Sequence, residues 1–97
     1  RDFQIKHLGY RIELGEIEHA ILNVYNSIIP CVLYDSNKKE IVLIYESETE
    51  ISVSEFRLQL SNKLSKYMIP TKYIKIGKLP KNISGKIDRN ALNKSIS

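Results

Sequence analysis

The run LPKNISGKIDRNAL, Leu79 to Leu92, sets Gly85 and Lys86 in the middle of a turn-forming stretch of Pro, Asn and Ser, with Asp88 and Arg89 directly behind. A lysine there is a compact point charge on a flexible stem, suited to phosphate or carboxylate oxygens. The glycine before it lets the backbone approach whatever the lysine meets. This is not a nucleotide-binding P-loop. That motif needs a glycine five positions before Gly85 and a Ser or Thr after the lysine, and the chain has Pro80 and Ile87 there. A solvent-facing turn lysine is the plain alternative, and for a Gly-Lys pair taken alone it is the better one.

The other reactive residue types form no working set. His7 and His19 lack the Cys, His or carboxylate spacing of a metal site, and read as a strand residue and a helix-surface residue. No metal is expected. Cys31 lies in the apolar run IIPCVLY, with no neighbouring charge in sequence to lower its pKa, and reads as a small buried hydrophobe. Ser, His and Asp are present without a strained G-x-S-x-G turn, so a hydrolase triad is unsupported. Asn82-Ile83-Ser84 and Asn93-Lys94-Ser95 match the glycosylation pattern, which arises often by chance.

The elements that must carry Lys86 follow from periodicity. Residues 3–12 alternate around Gly9 and read as a hairpin. Leu14, Ile17, Ala20, Ile21 and Val24 then recur at helical spacing over Leu14 to Tyr25, with Glu16 and Glu18 early, where the helix dipole favours acids. Ile28 to Tyr34 and Ile41 to Tyr45 are strand-like runs about the turn residues DSNKKE, an antiparallel pair expected at the centre of a sheet. Ser52 and Glu55 have capping-box spacing, and Val53, Phe56, Leu60 and Leu64 form the stripe of a second helix that Pro70 is expected to stop. Tyr73, Ile74 and Ile76 read as a third strand and DRNALNK as a short terminal helix. The expected fold is a small single α+β domain. It has an N-terminal β-hairpin, then a short, mainly antiparallel sheet of about three strands with helices packed against it.

Ninety-seven residues suffice for one core of two packed layers, and not for a core and a deep substrate cleft together. No apolar run approaches the ~20 residues of a membrane span. The absence of a signal pattern and the single Cys read as an intracellular, cytoplasmic piece of something longer. The net charge of +4 is unevenly spread: residues 1–62 hold six Lys or Arg against ten Asp or Glu, residues 63–97 nine against Asp88 alone. Such a block could meet phosphates, an acidic partner or nucleic acid, although a solvated lysine surface accounts for most of it. Without Trp, RNA-binding aromatic motifs or a recognition helix, nucleic acid is not expected.

Two stretches point to one family. DFQIKHLGYRIELGEIE, Asp2 to Glu18, resembles the linker and loop that begin the C-terminal subdomain of adenylate-forming enzymes, in particular amino-acid adenylation domains of nonribosomal peptide synthetases and D-alanine–carrier-protein ligases. LPKNISGKIDRNAL resembles the lysine motif near the end of that subdomain, and YMIPTKYIKIGKLP resembles the usual approach to it, so the resemblance covers nearly the whole chain.

The resemblance implies a mobile lid, residues 1–97, whose large N-terminal domain is absent. In the family a carboxylate attacks the α-phosphorus of Mg-ATP to give an acyl-adenylate and pyrophosphate. A phosphopantetheine thiol then takes the acyl group as a thioester. The implied partners are the N-terminal adenylation subdomain, an amino-acid substrate and an acyl or peptidyl carrier protein; the implied cofactors are ATP with Mg2+ and the carrier's phosphopantetheine. Lys86 aligns with the catalytic lysine in a loop over residues 79–92, supported by Ser84, Gly85, Asp88 and Arg89. Residues 1–12 align with the hinge and hairpin loop, Asp2 being the hinge, and Lys6, Leu8, Gly9 and Tyr10 lie on the loop that lines the pantetheine tunnel. Arg11 and Glu13 of the same motif read as structural. The glycine and arginine that precede the hinge in the family have no clear counterpart, since Arg1 opens the chain. Acyl- and aryl-CoA ligases share the architecture and remain an alternative, as does a non-catalytic basic docking module.

Overall fold

The computed structural model describes residues 4–96. The hairpin comes first: β1 (Gln4–His7) pairs antiparallel with β2 (Tyr10–Glu13), Gln4 opposite Glu13 and His7 opposite Tyr10. A two-residue turn with positive φ at both central positions matches the twist of such strands. Leu8 (φ 55°) and Gly9 (φ 83°) occupy them. Glycine adopts this region at no steric cost, whereas leucine there costs about 1–2 kcal/mol. Ile5 and Ile12 face the core, and Gln4, Lys6, Arg11 and Glu13 lie on the other face. Gln4 joins that face together by accepting from Arg11 Nε and donating to Glu13 Oε2, both at 2.9 Å.

Helix α1 (Leu14–Val24) follows without a break and buries Leu14, Ile17, Ala20 and Ile21, the spacing expected of its apolar face. Glu16 lies in its first turn, while Glu18 is one turn further on and is occupied elsewhere. Strands β3 (Ile29–Asp35) and β4 (Glu40–Glu46) pair antiparallel about a turn in which Asp35 Oδ1 accepts from the amides of Asn37 and Lys38. Helix α2 (Val53–Ser61) starts at Ser52, whose hydroxyl accepts from the Glu55 amide at 3.1 Å. Glu55 does not complete a reciprocal box, because its carboxylate takes the Tyr25 hydroxyl instead, at 3.1 Å.

Pro70 is not what ends α2. The helix stops at Ser61, where Ser61 Oγ and Asn62 Nδ2 both donate to the Leu58 carbonyl and compete with the backbone ladder. A short 3-10 turn, Lys66–Met68, leads to Pro70. Strand β5 (Lys72–Ile76) then pairs parallel with β4, because α2 carries the chain back to the same end of the sheet. The sheet order is β3-β4-β5, so β4 is central and β3 is an edge. Sequence reasoning placed both strands at the centre; the hairpin, which could have flanked β3, forms a separate two-stranded sheet. Helix α3 (Arg89–Ile96) closes the domain.

The sheet is covered on both faces, which is why β3 and β4 read as near-continuous apolar runs. Val32, Ile41, Leu43 and Tyr45 pack with Ile12 and with α1 and α2 through Ile17, Ile21, Phe56 and Leu60. Cys31, Leu33, Val42 and Ile44 pack on the other side against Leu79 and Leu92. Among the described residues no helix is long and apolar enough to cross a membrane.

Candidate functional site

Lys86 sits on a hairpin built almost entirely from backbone. Lys81 and Ile87 form an antiparallel bridge, and the Asp88 amide donates to the Pro80 carbonyl at 2.8 Å. At the tip the Gly85 amide donates to the Asn82 carbonyl at 2.9 Å and the Asn82 amide to the Lys86 carbonyl at 2.8 Å. This is a three-residue loop of Ile83, Ser84 and Gly85, closed by a bulge whose last residue must adopt positive φ. Gly85 does so, at φ 85°. The Asn82 side chain stiffens the turn from within, its Oδ1 accepting from the amides of Ser84 (2.9 Å) and Lys86 (3.1 Å). In the sequence Asn82 reads only as part of a chance glycosylation pattern, and its role in the turn comes from the structure. The available signal was an Asn three residues before a Gly, the side-chain type that bonds its own backbone two residues on. Lys86 and Ile83 are both exposed, and Ile83 is fully so.

The residues behind the lysine anchor the hairpin. Asp88 Oδ1 accepts from the Ala91 amide at 3.1 Å and so caps α3. Arg89 donates through Nη2 to Glu18 Oε2 at 2.7 Å and through Nη1 to the Val32 carbonyl at 3.1 Å. Glu18 Oε2 also accepts from the Val32 amide at 2.7 Å. One ion pair thus satisfies both outward backbone groups of Val32 on the free edge of β3, in the place a neighbouring strand would take. Glu18, read from sequence as a dipole-favoured acid, is the residue that joins α1, β3 and α3. Of the loop residues, Ser84, Gly85, Asp88 and Arg89 are brought into one unit with Lys86, Ser84 contributing only its amide.

Arg89 also comes within 3.5 Å of Cys31 Sγ, a charge from 58 positions away that the local sequence does not show. Burial still dominates and pushes the Cys31 thiol up to about 11, against the opposing pull of Arg89, with Glu18 adding to burial. With so little thiolate at pH 8, and the side chain buried, iodoacetamide is expected to leave Cys31 unmodified in the folded chain and to label it after unfolding in urea. Mass spectrometry checks this; rapid labelling without denaturant would contradict the packing.

The second candidate loop, at the turn of β1 and β2, carries Lys6, Leu8, Gly9 and Tyr10. All four are exposed, Leu8 at 70%. It is tied to the body by two aromatic contacts: Tyr10 stacks on Tyr67 with centroids 3.8 Å apart, and His7 Nδ1 lies 3.1 Å from the Tyr34 hydroxyl. His19 is exposed on α1. The two loops are rooted in cores on opposite faces of the sheet, Ile5 and Ile12 on one side, Leu79, Ile87 and Leu92 on the other. Asp2, the expected hinge, lies outside the described residues. Among those described, no group of three or more His, Cys, Asp or Glu is placed to hold a metal ion.

No family model matches the chain. Among curated proteins it is similar to zwittermicin A synthase ZmaJ of Bacillus cereus, 37% identical over 95 residues that cover 94% of this chain and 18% of that protein. It is similar also to tyrocidine synthase 3 of Brevibacillus parabrevis, 40% identical over 98 residues covering 96% of this chain and 2% of that one. The chain thus spans less than a fifth of either relative. Among solved structures, the o-succinylbenzoate CoA synthetase MenE of Bacillus subtilis, in complex with the acyl-adenylate intermediate OSB-AMP, superposes with a TM-score of 0.82 at 27% identity. That match covers 95% of this chain and 20% of the synthetase.

Proposed function

Because the chain belongs to the adenylate-forming enzymes, as their C-terminal subdomain, we propose that it is the mobile lid of an ATP-dependent ligase that activates an amino acid and passes it to the phosphopantetheine thiol of a carrier protein. In the first step the substrate carboxylate attacks the α-phosphorus of ATP, forming the acyl-adenylate and releasing pyrophosphate. In the second the thiol attacks the acyl carbon, forming a thioester and releasing AMP. Lys86 is assigned to the first step. Negative charge gathers there on carboxylate and phosphate oxygens, and a cation held in place by a closing lid stabilises it where water is scarce. The observation that carries this reading is the build of the lysine hairpin. Asn82 and Gly85 make its turn, so the exposed side chain of Lys86 has no part in holding the loop together.

The second step is assigned to the β1–β2 loop, with Gly9 giving room for the pantetheine arm and Lys6, Leu8 and Tyr10 lining it. The opposite rooting of the two loops supports their use in turn: one pose brings Lys86 to the reacting atoms, and a rotation about Asp2 brings Gly9. ATP, with the magnesium ion that accompanies it, is assigned mainly to the N-terminal domain. The nine Lys and Arg of residues 63–97 suit an acidic carrier or a phosphate-bearing CoA. The similarity to zwittermicin A synthase ZmaJ and tyrocidine synthase 3 favours the carrier.

The test is amino-acid-dependent ATP–pyrophosphate exchange by the full-length protein across a panel that includes D-alanine, followed by a choice of carrier domain or CoA as acceptor. The isolated 97-residue chain is expected to fold and to catalyse no exchange. Turnover by that fragment, or a full-length protein that no amino acid activates, would sink the assignment.

A further inference from the structure

The lysine hairpin leaves the sheet after β5 and rejoins the body at α3, and each of its ends is fastened by a carboxylate. At the far end Arg89 reaches Glu18 and the Val32 carbonyl. At the near end Glu46, the last residue of β4, accepts a hydrogen bond from the Leu79 amide through Oε1 at 2.8 Å. Glu46 stands opposite Ile76 in the pairing of β4 with β5, so its carboxylate catches the chain three residues beyond that point, as it turns through Gly77 and Lys78. The Leu79 side chain is sunk in the core on the α3 face, at 1% exposure. Pro80 behind it confines Leu79 to extended backbone.

We propose that Glu46 is a positioning residue for Lys86: by holding the Leu79 amide it sets the tilt at which the hairpin presents the lysine. The proposal rests on the adenylation role given to Lys86 above. The Leu79 side chain packs the near strand into the core, and the Glu46 hydrogen bond to its amide adds the directional contact that fixes how the strand tilts about that packing. From Leu79 to the turn at Asn82 is three residues, about 10 Å of extended chain. A 10° change at the base therefore moves the tip by roughly 2 Å, and displacements of about 1 Å can cost 10²-fold in rate. The effect belongs to the first half-reaction only, because the second uses the other loop, rooted on the opposite face of the sheet.

The experiment compares Glu46→Ala, Glu46→Gln, Glu46→Asp and Lys86→Ala in the full-length protein, with thermal unfolding recorded for each. Glu46→Ala is expected to lower kcat of amino-acid-dependent exchange about tenfold, leaving KM for ATP and amino acid within about twofold. Glu46→Gln retains an oxygen that can accept from the Leu79 amide and is expected to stay near the wild-type rate. Glu46→Asp withdraws the acceptor by one methylene and should fall between. Single-turnover transfer from the enzyme-bound adenylate to pantetheine should be unchanged in all three. Equal slowing of both half-reactions, or failure of Gln to rescue, would reduce Glu46 to a structural residue and overturn the proposal. So would exchange that survives Glu46→Ala but is lost in Lys86→Ala. Exchange that survives Lys86→Ala would instead overturn the role of Lys86, and that of Glu46 with it.

Discussion

Replacing Lys86 with alanine in the full-length protein is expected to slow amino-acid-dependent ATP–pyrophosphate exchange by about 10²–10³-fold, the range seen when one electrostatic group is taken from a transition state. The structure separates this loss from any loss of fold. The turn bonds at 80–88 run between backbone groups and the Asn82 side chain, and Lys86 contributes to them only its amide and carbonyl, which alanine retains. Surface substitutions of this kind shift stability by less than about 0.5 kcal/mol. Matching urea midpoints for wild type and variant would therefore show that chemistry alone has changed. Lys86→Arg should recover only part of the rate, because a planar guanidinium does not reproduce a compact ammonium charge. An unaltered exchange rate in Lys86→Ala would make the lysine an ordinary turn residue.

The largest stability effect is expected at Phe56. Its side chain is fully buried, with three tyrosine rings around it: Tyr25 and Tyr45 edge-on and Tyr73 stacked, each with centroids 5.1 Å away. Phe56→Ala removes the centre of that cluster and should cost about 3–5 kcal/mol, a large share of the roughly 5–15 kcal/mol that holds a domain folded. Urea unfolding of the isolated chain measures it directly. A cost below about 1 kcal/mol would mean the rings close over the gap, contrary to the density of the packing.

The same cluster predicts a pH effect. Among the described residues the buried Tyr73 hydroxyl has no hydrogen-bond partner, and burial pushes its pKa up to about 12, partly offset by Arg57 and reinforced by Tyr25. The neutral form is thus favoured in the folded state. As pH rises above about 10 the unfolded chain loses this proton first, so its contribution to stability is complete below pH 10 and is lost as pH climbs toward 12. In Phe56→Ala, water admitted beside Tyr73 should weaken that dependence. Unfolding at pH 8 and pH 11 in both proteins tests the link.

Much of this domain was legible in the chain because the signals are local. The period of Leu14, Ile17 and Ile21, the Leu8-Gly9 turn, the two apolar runs and the Ser52 cap each depend on a few neighbouring residues, and each appears where expected. Gly85 beside Lys86 could be found in the same way, since a bulge that demands positive φ selects glycine wherever the loop lies. Local signals failed where two of them competed. Pro70 was the stronger breaker on paper, yet Ser61 and Asn62 reach the Leu58 carbonyl first and end α2 nine residues earlier.

By itself, then, the amino-acid sequence determined the order of elements, the lysine turn and the family, all of which are written in short-range pattern and motif. Only the tertiary structure decided that β3 is an edge, that Glu18 and Arg89 close that edge together, that Cys31 lies beside a guanidinium, and that Glu46 holds Leu79. The reason is physical. The Glu18–Arg89 pair joins residues 71 positions apart and the Glu46–Leu79 bond residues 33 apart. Neither charge pattern nor periodicity specifies such a partner until the sheet has formed and left a particular amide or carbonyl without one.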